Sequence, residues 1–391
     1  YKVHLIERDE ELGGLLKDIY LGTVDEKPQE LLKEMTSRVL EHPEIEVHTS
    51  TELEEITGYV GNFTSKLRKK DESEIVQHGI VVVATGSKAY EPTEYCYGKS
   101  DHIIRQKEFE KDLAINDDYI KDLEEVVMIQ CVGSRNEEHP YCSRVCCSNA
   151  LKNSVRLKEI NPEAAVYVLY RDIRSYGFRE DTLYRKARKL GVIFIRFDKE
   201  DEPEVSVNKG EISVDVEDLT LHRKITFHPD RLVLSTGMVP ADNMELSQKL
   251  KVPLNADGFY SEAHLKLRPV DFSADGIFLC GTAHSPRFLE ESILQAKATA
   301  SRAGTILSRE YLETKGNVAR VTSRFCAGCQ LCIEVCPYDA IDFDEEKKIV
   351  TVNEILCQGC GACAAICPSG TSQQNSFTKK QIMSMIDACL K

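Results

Sequence analysis

No apolar run in this sequence approaches the roughly 20 residues a helix needs to cross a bilayer, so no membrane span is expected. Positive charge is in short supply. Lys and Arg total 50 against 64 Asp and Glu, a formal net charge of −14 at pH 7. That balance argues against nucleic acid and against an anionic membrane surface as partners. No signal peptide is expected from the opening residues. The glycine fingerprint G-x-G-x-x-G is missing at the two places where an α/β nucleotide domain would carry it, before Glu7 and after residue 130.

Cysteine is abundant instead. The 391 residues are enough for two or three domains, and 15 of them are Cys. In a small secreted protein that count would suggest disulfides. Here most cysteines fall in clusters with metal-ligand spacing, which need a reducing compartment, and a cytoplasmic protein is expected.

Residues 326–368 read CAGCQLCIEVCP, a short linker, then CQGCGACAAICP. Each half is Cys-x2-Cys-x2-Cys-x3-Cys-Pro, the two-cluster ferredoxin run in which the fourth cysteine crosses to the other cluster. Cys326, Cys329 and Cys332 are expected to hold one [4Fe–4S] cluster with Cys367. Cys357, Cys360 and Cys363 are expected to hold the second with Cys336. Gly328, Gly359 and Gly361 would leave room for backbone beside the sulfides, and Pro337 and Pro368 would turn the chain. A four-thiolate zinc site is the alternative, but zinc does not explain two such runs each closed by Pro.

The N-terminal part reads as a dinucleotide unit. Residues 1–7 (YKVHLIE) alternate like a strand that ends in an acid, the place of a ribose-binding carboxylate. Nothing precedes Glu7 to hold the glycines, so the first strand and phosphate loop are expected to be absent from this chain. Arg8 follows, and Gly13 and Gly14 give a turn able to pass close to a nucleotide. Residues 28–41 carry helical periodicity, 44–48 a strand, and 79–87 (GIVVVATGS) a fully buried strand with a glycine turn. FAD is the cofactor this order suits, with Leu53, Thr85 and Gly86 as further contacts.

A second unit begins at residues 124–130 and runs strand, loop, helix, strand to 164–172. Its loop carries Cys131, Cys142, Cys146 and Cys147 in place of glycines. Thiolates at a helix N-terminus suit a third iron–sulfur cluster. A zinc site, a redox disulfide or buried structural cysteines are the other readings. An antiparallel meander with a Lys209-Gly210 turn then leads to residues 230–240, where the buried-strand-then-Thr-Gly pattern recurs. Residues 274–307 give a strand, a glycine turn and a long helix. Gly281, Thr282 and Ala283 are expected at the FAD phosphates, and Ser292, Gln295 and Ala296, with Ala300, form a small-residue stripe for close packing. Plain helix packing explains the stripe equally well. Residues 381–390 read as an amphipathic docking helix, and Cys96, Cys280 and Cys389 as structural thiols.

Through IQCVGSR, PYCSRVCCSNALKN, LSTGMVP, KLRPVD and both ferredoxin runs, the chain resembles the A-type subunit of heterodisulfide reductase and its bacterial relatives, over nearly its whole length. The resemblance implies an α/β, two-dinucleotide-domain flavoprotein of thioredoxin-reductase-like fold, followed by an α+β dicluster ferredoxin domain. The division expected is 1–115 with 256–315 for FAD, 116–255 for the second dinucleotide-type domain, and 316–391 for the ferredoxin. It implies FAD and three [4Fe–4S] clusters, the third on the Cys131 set. It implies partners among the other subunits of such a complex: B- and C-like subunits, a hydrogenase- or dehydrogenase-linked donor, and ferredoxin, in a dimer of complexes. Some members bifurcate electron pairs at the flavin. It also makes Lys152 the catalytic candidate, as a cation beside the flavin ring; the residues alone read it as a solvated lysine on an exposed face.

The sequence departs from the family in three places. Members usually hold a domain before the FAD fold. Many insert a ferredoxin module where this chain has residues 64–78, read as a short charged loop, and methanogen members carry cysteines where it has residues 15–24 (LLKDIYLGTV). Two other functions are weighed against electron transfer: a stand-alone NAD(P)H-dependent disulfide reductase using Cys146 and Cys147, and a non-catalytic metal-stabilised scaffold.

Overall fold

The structure is a computed structural model that describes residues 1–22, 26–115, 118–175, 177–313 and 316–390. The expected domain boundaries at 115/116 and 315/316 touch residues outside this set. β1 (Val3–Ile6) and β2 (Ile45–His48) pair in parallel, joined through α1 (Pro28–Leu40). Pro28 starts that helix, where a missing N–H costs nothing. A three-stranded antiparallel meander follows: β3 (Glu52–Tyr59), β4 (Asn62–Lys69) and β5 (Glu72–His78). Residues 64–78 are therefore two strands and a turn, not a loop. Phe63, Ser65 and Leu67 are buried while the residues between them face outward, the two-residue period of a half-buried strand. The charges on the outer face had hidden that period.

β6 (Val81–Val83) is shorter than residues 79–87 and is not fully buried. It pairs along one edge only among the described strands, and Val82 is 41% exposed. β7 (Ser87–Ala89) leads into the second unit.

There, β8 (Ile103–Arg105), α2 (Gln106–Ile115), β9 (Glu125–Val132), α3 (Cys146–Ile160), β10 (Ala165–Tyr170), α4 (Phe178–Lys189) and β11 (Ile193–Arg196) follow in order. A second meander comprises β12 (Glu204–Asn208), β13 (Glu211–Asp218) and β14 (Arg223–Phe227), with Lys209 and Gly210 both at positive φ in its first turn. β15 (Arg231–Thr236) then enters a parallel sheet of order β11-β10-β9-β15-β8. β9 is its central strand, and its side chains alternate. Val126 and Met128 pack under the helices; Val127 and Ile129 pack under the second meander. A strand buried on both faces reads as a continuous apolar run, as VVMI does.

β16 (Met238–Pro240) crosses to pair with β7, and α5 (Met244–Leu250) follows. β17 (Ile277–Leu279) pairs in parallel with β6. α6 (Leu289–Leu307) packs back through Thr299 and Ala303. The C-terminal module has β18 (Ala319–Val321), α7 (Leu331–Glu334), β19 (Ile341–Asp344), β20 (Ile349–Val352), α8 (Ala362–Ile366) and β21 (Ser372–Gln374). β18 pairs with β21 and β19 with β20, both antiparallel. α9 (Lys379–Cys389) is capped by Thr378 and Gln381, but Ile382, Met383, Met385 and Ile386 on it are all exposed. It is not docked on this chain. No described helix is long and apolar enough to cross a membrane.

Candidate metal centres and cofactor site

Cys131 lies near the end of β9, and Cys146 and Cys147 open α3. Cys142 stands in the loop between. The loop is held in an uncommon shape: Cys131, Arg135 and Arg144 all have positive φ, which L side chains adopt at a cost of about 1–3 kcal/mol each in strained sites. It is braced from β15 and β16. The hydroxyl of Ser143 accepts from the Met238 N–H at 2.8 Å, and Tyr141 donates to the Met238 carbonyl at 3.0 Å. Gly237 passes so close that an added Cβ would sit 2.8 Å from Ser143 Oγ and 3.0 Å from Ser134 Cβ. The cysteines therefore gather outside the carboxyl ends of adjacent strands β9 and β15. That is where an open α/β sheet binds its ligand.

The thiols are near enough for their neighbours to raise the pKa of Cys131, Cys146 and Cys147. Burial is the larger cause: it pushes Cys146 well up and Cys147 to about 11. Four thiolates here need compensation, and the surrounding groups supply it. Arg135 Nη1 is 3.8 Å from Cys131 Sγ, and Arg171 and Arg135 both draw the Cys131 thiol down against its burial. The Arg144 N–H points at Cys142 Sγ (3.3 Å) and the Arg174 N–H at Cys147 Sγ (3.5 Å). Arg144 also pairs with Glu291 at the start of α6, at 2.6 Å.

A tetrahedral zinc with sulfurs at 2.3 Å would bring them within about 3.8 Å of each other. Among the described residues no three cysteine sulfurs come within 4.8 Å of one another. Nearby, Ser148 Oγ and Gln130 Oε1 are buried without a protein partner. Wider thiol spacing and unspent polar atoms fit an iron–sulfur cube better than a single ion.

Behind the cysteines runs a buried network that sequence reasoning missed. Gln130 and Gln106 both donate to Ser235 Oγ, at 2.7 and 3.0 Å, and Asn153 donates to Gln106 Oε1 at 2.7 Å. Gln130, Asn153 and Ser235 stand inside the motifs IQCVGSR, CCSNALKN and LSTGMVP, so the signal was present but unread. Lys152 is not solvated. It is 8% exposed, 2.9 Å from the Glu110 carboxylate, and donates to the Leu21 carbonyl at 2.8 Å. Glu110 in turn accepts from the Tyr20 and Leu21 N–H groups. The pair fastens the segment after the Gly13-Gly14 turn to α2 and α3.

In the first unit, Glu7 continues β1 and accepts its own turn's Asp9 N–H at 3.0 Å, while Arg8 is exposed beside Asp9. Gly13 faces Leu32 of α1, where a Cβ would sit 2.8 Å from Cδ1, so it closes onto protein; a Cβ at Gly14 would meet open space. Thr85 is exposed, and Gly86 approaches Thr282, where its Cβ would lie 3.6 Å from Oγ1. Gly281 at φ +73° also faces open space. These groups could hold a flavin dinucleotide at the ends of β1, β6 and β17. Other candidates are spent internally. Gln295 accepts from the Gly281 N–H at 2.8 Å and contacts His284 Nδ1 at 3.0 Å; Ser292 donates to its own helix at Phe288. Ala283 lies in the core, Ala296 is exposed, and the Leu53 carbonyl accepts from Lys249.

The ferredoxin module brings Cys336 to the second triplet. Cys336, Cys357, Cys360 and Cys363 line one cavity. Cys332 has Cys329 and Cys326 as neighbours. The Ala319 and Ala340 N–H groups point at Cys357 and Cys336 (3.2 and 3.4 Å). Burial works upward on Cys367, but hydrogen bonds from Ser369, Ser372 and Thr371 outweigh it and bring the thiol to about 7. A Cβ at Gly328 or Gly359 would collide with the carbonyls of Lys348 (2.6 Å) and Asn317 (2.4 Å), so these glycines make room for neighbouring backbone. Gly361, at φ +81°, abuts the Gln374 side chain. Cys280 is buried, Cys96 half-buried and Cys389 exposed, so the last is no core thiol.

Residues 325–371 match the family described as 4Fe-4S dicluster domain. The chain is 31% identical, over its full length, to the A subunit of the H(2)/formate:CoB-CoM heterodisulfide,ferredoxin reductase of Methanococcus maripaludis, covering 74% of that protein. The chain belongs to the heterodisulfide reductase A-subunit family. It is also 38% identical to the A subunit of the H(2):CoB-CoM heterodisulfide,ferredoxin reductase of Methanothermobacter thermautotrophicus, over 81% of this chain but 50% of the relative. The chain thus spans about half the length of that relative. Among solved structures, the fold resembles Lactococcus lactis thioredoxin reductase with a TM-score of 0.54 and 16% identity, over 79% of this chain and 99% of that one. A thioredoxin-reductase-like flavoprotein fold with a C-terminal dicluster module is the architecture of this family member, and an oxidoreductase family is its place.

Proposed function

We propose that the chain is the electron-transfer core of a heterodisulfide-reductase-type complex, holding FAD and three [4Fe–4S] clusters. One observation carries this reading: Cys131, Cys142, Cys146 and Cys147 converge at the carboxyl ends of β9 and β15, with the Arg135 and Arg171 charges acting on Cys131 and the Arg144 N–H on Cys142. In this reading residues 1–115 with 256–315 bind the flavin, with β8 and α2 of that span packed into the second unit's sheet, 116–255 carry the Cys131 set, and 316–391 carry the ferredoxin pair. FAD, when bound, supplies the exchange between electron pairs and single electrons. The protein's part is to hold and tune. Glu7 would take a ribose hydroxyl, and Gly14, Gly86, Gly281 and Thr282 would let the dinucleotide approach the backbone. Arg135 and Arg171 would offset the charge of the third cluster, and Lys152 with Glu110 would set the field near the flavin ring.

The partners in this reading are the other subunits of the complex, B- and C-like ones, with a hydrogenase- or dehydrogenase-linked donor and ferredoxin, in a dimer of complexes. Its finer form is bifurcation, chemistry the flavin would supply when bound, with the Cys131 set and the ferredoxin cysteines holding the clusters that would take single electrons.

The rival, a stand-alone NAD(P)H-dependent disulfide reductase, needs a pyrophosphate cradle where the cysteines stand. Mixing the anaerobic cofactor-loaded chain with NADH, and separately with reduced ferredoxin, separates the two. Reduced ferredoxin is expected to bleach the clusters and flavin, and NADH to leave them unchanged. Rapid flavin bleaching by NADH would overturn the reading.

A further inference from the structure

We propose that His4, Glu46 and His48 bind one divalent transition-metal ion, zinc by the chemistry of the set, at a site separate from every cysteine. The register of the β1–β2 pair sets His4 opposite Glu46, and His48 lies two residues further along β2. Residues two apart share a face of a sheet, so all three side chains project from the same side. Their donor atoms converge. His4 Nδ1 is 3.1 Å from His48 Nε2 and 3.6 Å from Glu46 Oε2, and His48 Nε2 is 3.9 Å from Glu46 Oε1. Ligands at 2.0–2.1 Å around a tetrahedral zinc lie about 3.3 Å apart. The three separations bracket that value, so an ion can enter with small side-chain shifts.

The surroundings are those of a ligand set. His48 has its other nitrogen, Nδ1, 3.4 Å from Glu74 Oε2, on β5 of the first meander. A metal-binding imidazole commonly gives its second N–H to a carboxylate in this way, which fixes the ring. The two imidazoles are only 17% and 11% exposed, while Glu46 at 45% leaves a path from solvent. Lys2 Nζ sits 2.9 Å from Glu46 Oε2 and balances its charge; an ion would take over that role. In the metal-free geometry one imidazole donates to the other across 3.1 Å, so binding moves that proton to the donor ring's other nitrogen. Two nitrogens and a carboxylate favour zinc and its neighbours over calcium, magnesium or copper(I). The ion would tie β1, which leads into Glu7, to β2 directly and to β5 through Glu74.

The test uses the anaerobic, cluster-loaded full chain, stripped of loose metal and titrated with zinc chloride. Zinc and iron are counted together, and zinc-edge X-ray absorption identifies the ligands. The expected result is about one zinc per chain, bound by nitrogen and oxygen only at about 2.0–2.1 Å. His4→Ala or His48→Ala should lose it with iron unchanged. Glu74→Gln should weaken it about 10–100-fold without changing the count. Failure to retain zinc, sulfur in the zinc shell, or full retention by both His variants would each overturn the proposal. If a variant loses iron as well, the absorption spectrum of the unaltered chain decides.

Discussion

Among the four thiols around the start of α3, Cys142 alone is half-buried and outside a regular element. Replacing it should therefore test metal binding with little damage to packing. Cys142→Ala is expected to remove one cluster, about four of twelve iron atoms by ligand count, and to leave the ferredoxin pair intact. Iron analysis with EPR of the reduced protein checks this; unchanged iron would sink the third site. Lys152 is a harder case, because it is fastened to Glu110 inside the protein. Lys152→Ala leaves a buried carboxylate uncompensated and should destabilise the fold by about 3–5 kcal/mol. Lys152→Ala with Glu110→Ala should recover part of that. If the lysine also sets the flavin's field, the double variant will be stable yet show displaced flavin potentials in a redox titration; potentials that overlay the parent would confine the pair to a structural role. The cysteines were legible because cluster ligands come at fixed spacings. Glu110 was not, since a partner that meets Lys152 only through folding leaves no local pattern, and a lone lysine on a helix reads as solvated.

At the scale of elements, helical periodicity located α1 and α3, and continuous apolar runs located β9 and the strands before the Thr-Gly turns. Periodicity failed at β4 and β5. Asn62–Lys69 buries Phe63, Ser65 and Leu67, but Ser65 is polar and Lys66, Arg68 and Lys69 lie between and after them. A charged outer face resembles a loop when the inner face is not uniformly apolar. The turn after β15 gives the sharpest element-level prediction. Gly237 lets β15 pass under the cysteine loop, with Ser143 and Ser134 at the position of any Cβ. Gly237→Ala should cost about 1–3 kcal/mol by overpacking and push the loop out of register. A thermal melt will show the first effect, and a selective fall in iron the second. Full iron with unchanged stability would contradict the role given to this turn.

For the whole molecule, the first and second units are joined by short, specific contacts. β7 pairs with β16, Arg144 with Glu291, and Lys152 with the Leu21 carbonyl, so the cysteine loop is tied to α6 and α3 to the segment after Gly14. Family membership is shown over the full length of this chain, while the Methanothermobacter relative is about twice as long as the matched span. The central proposal is that the second unit has exchanged a nucleotide's phosphate cradle for a cluster. Anaerobic iron, sulfide and flavin stoichiometry of the intact complex measures this most directly. The account predicts about twelve iron atoms and one FAD for each copy of this chain, after the partners' own cofactors are subtracted. About eight iron atoms, with Cys131, Cys142, Cys146 and Cys147 open to thiol alkylation, would contradict it.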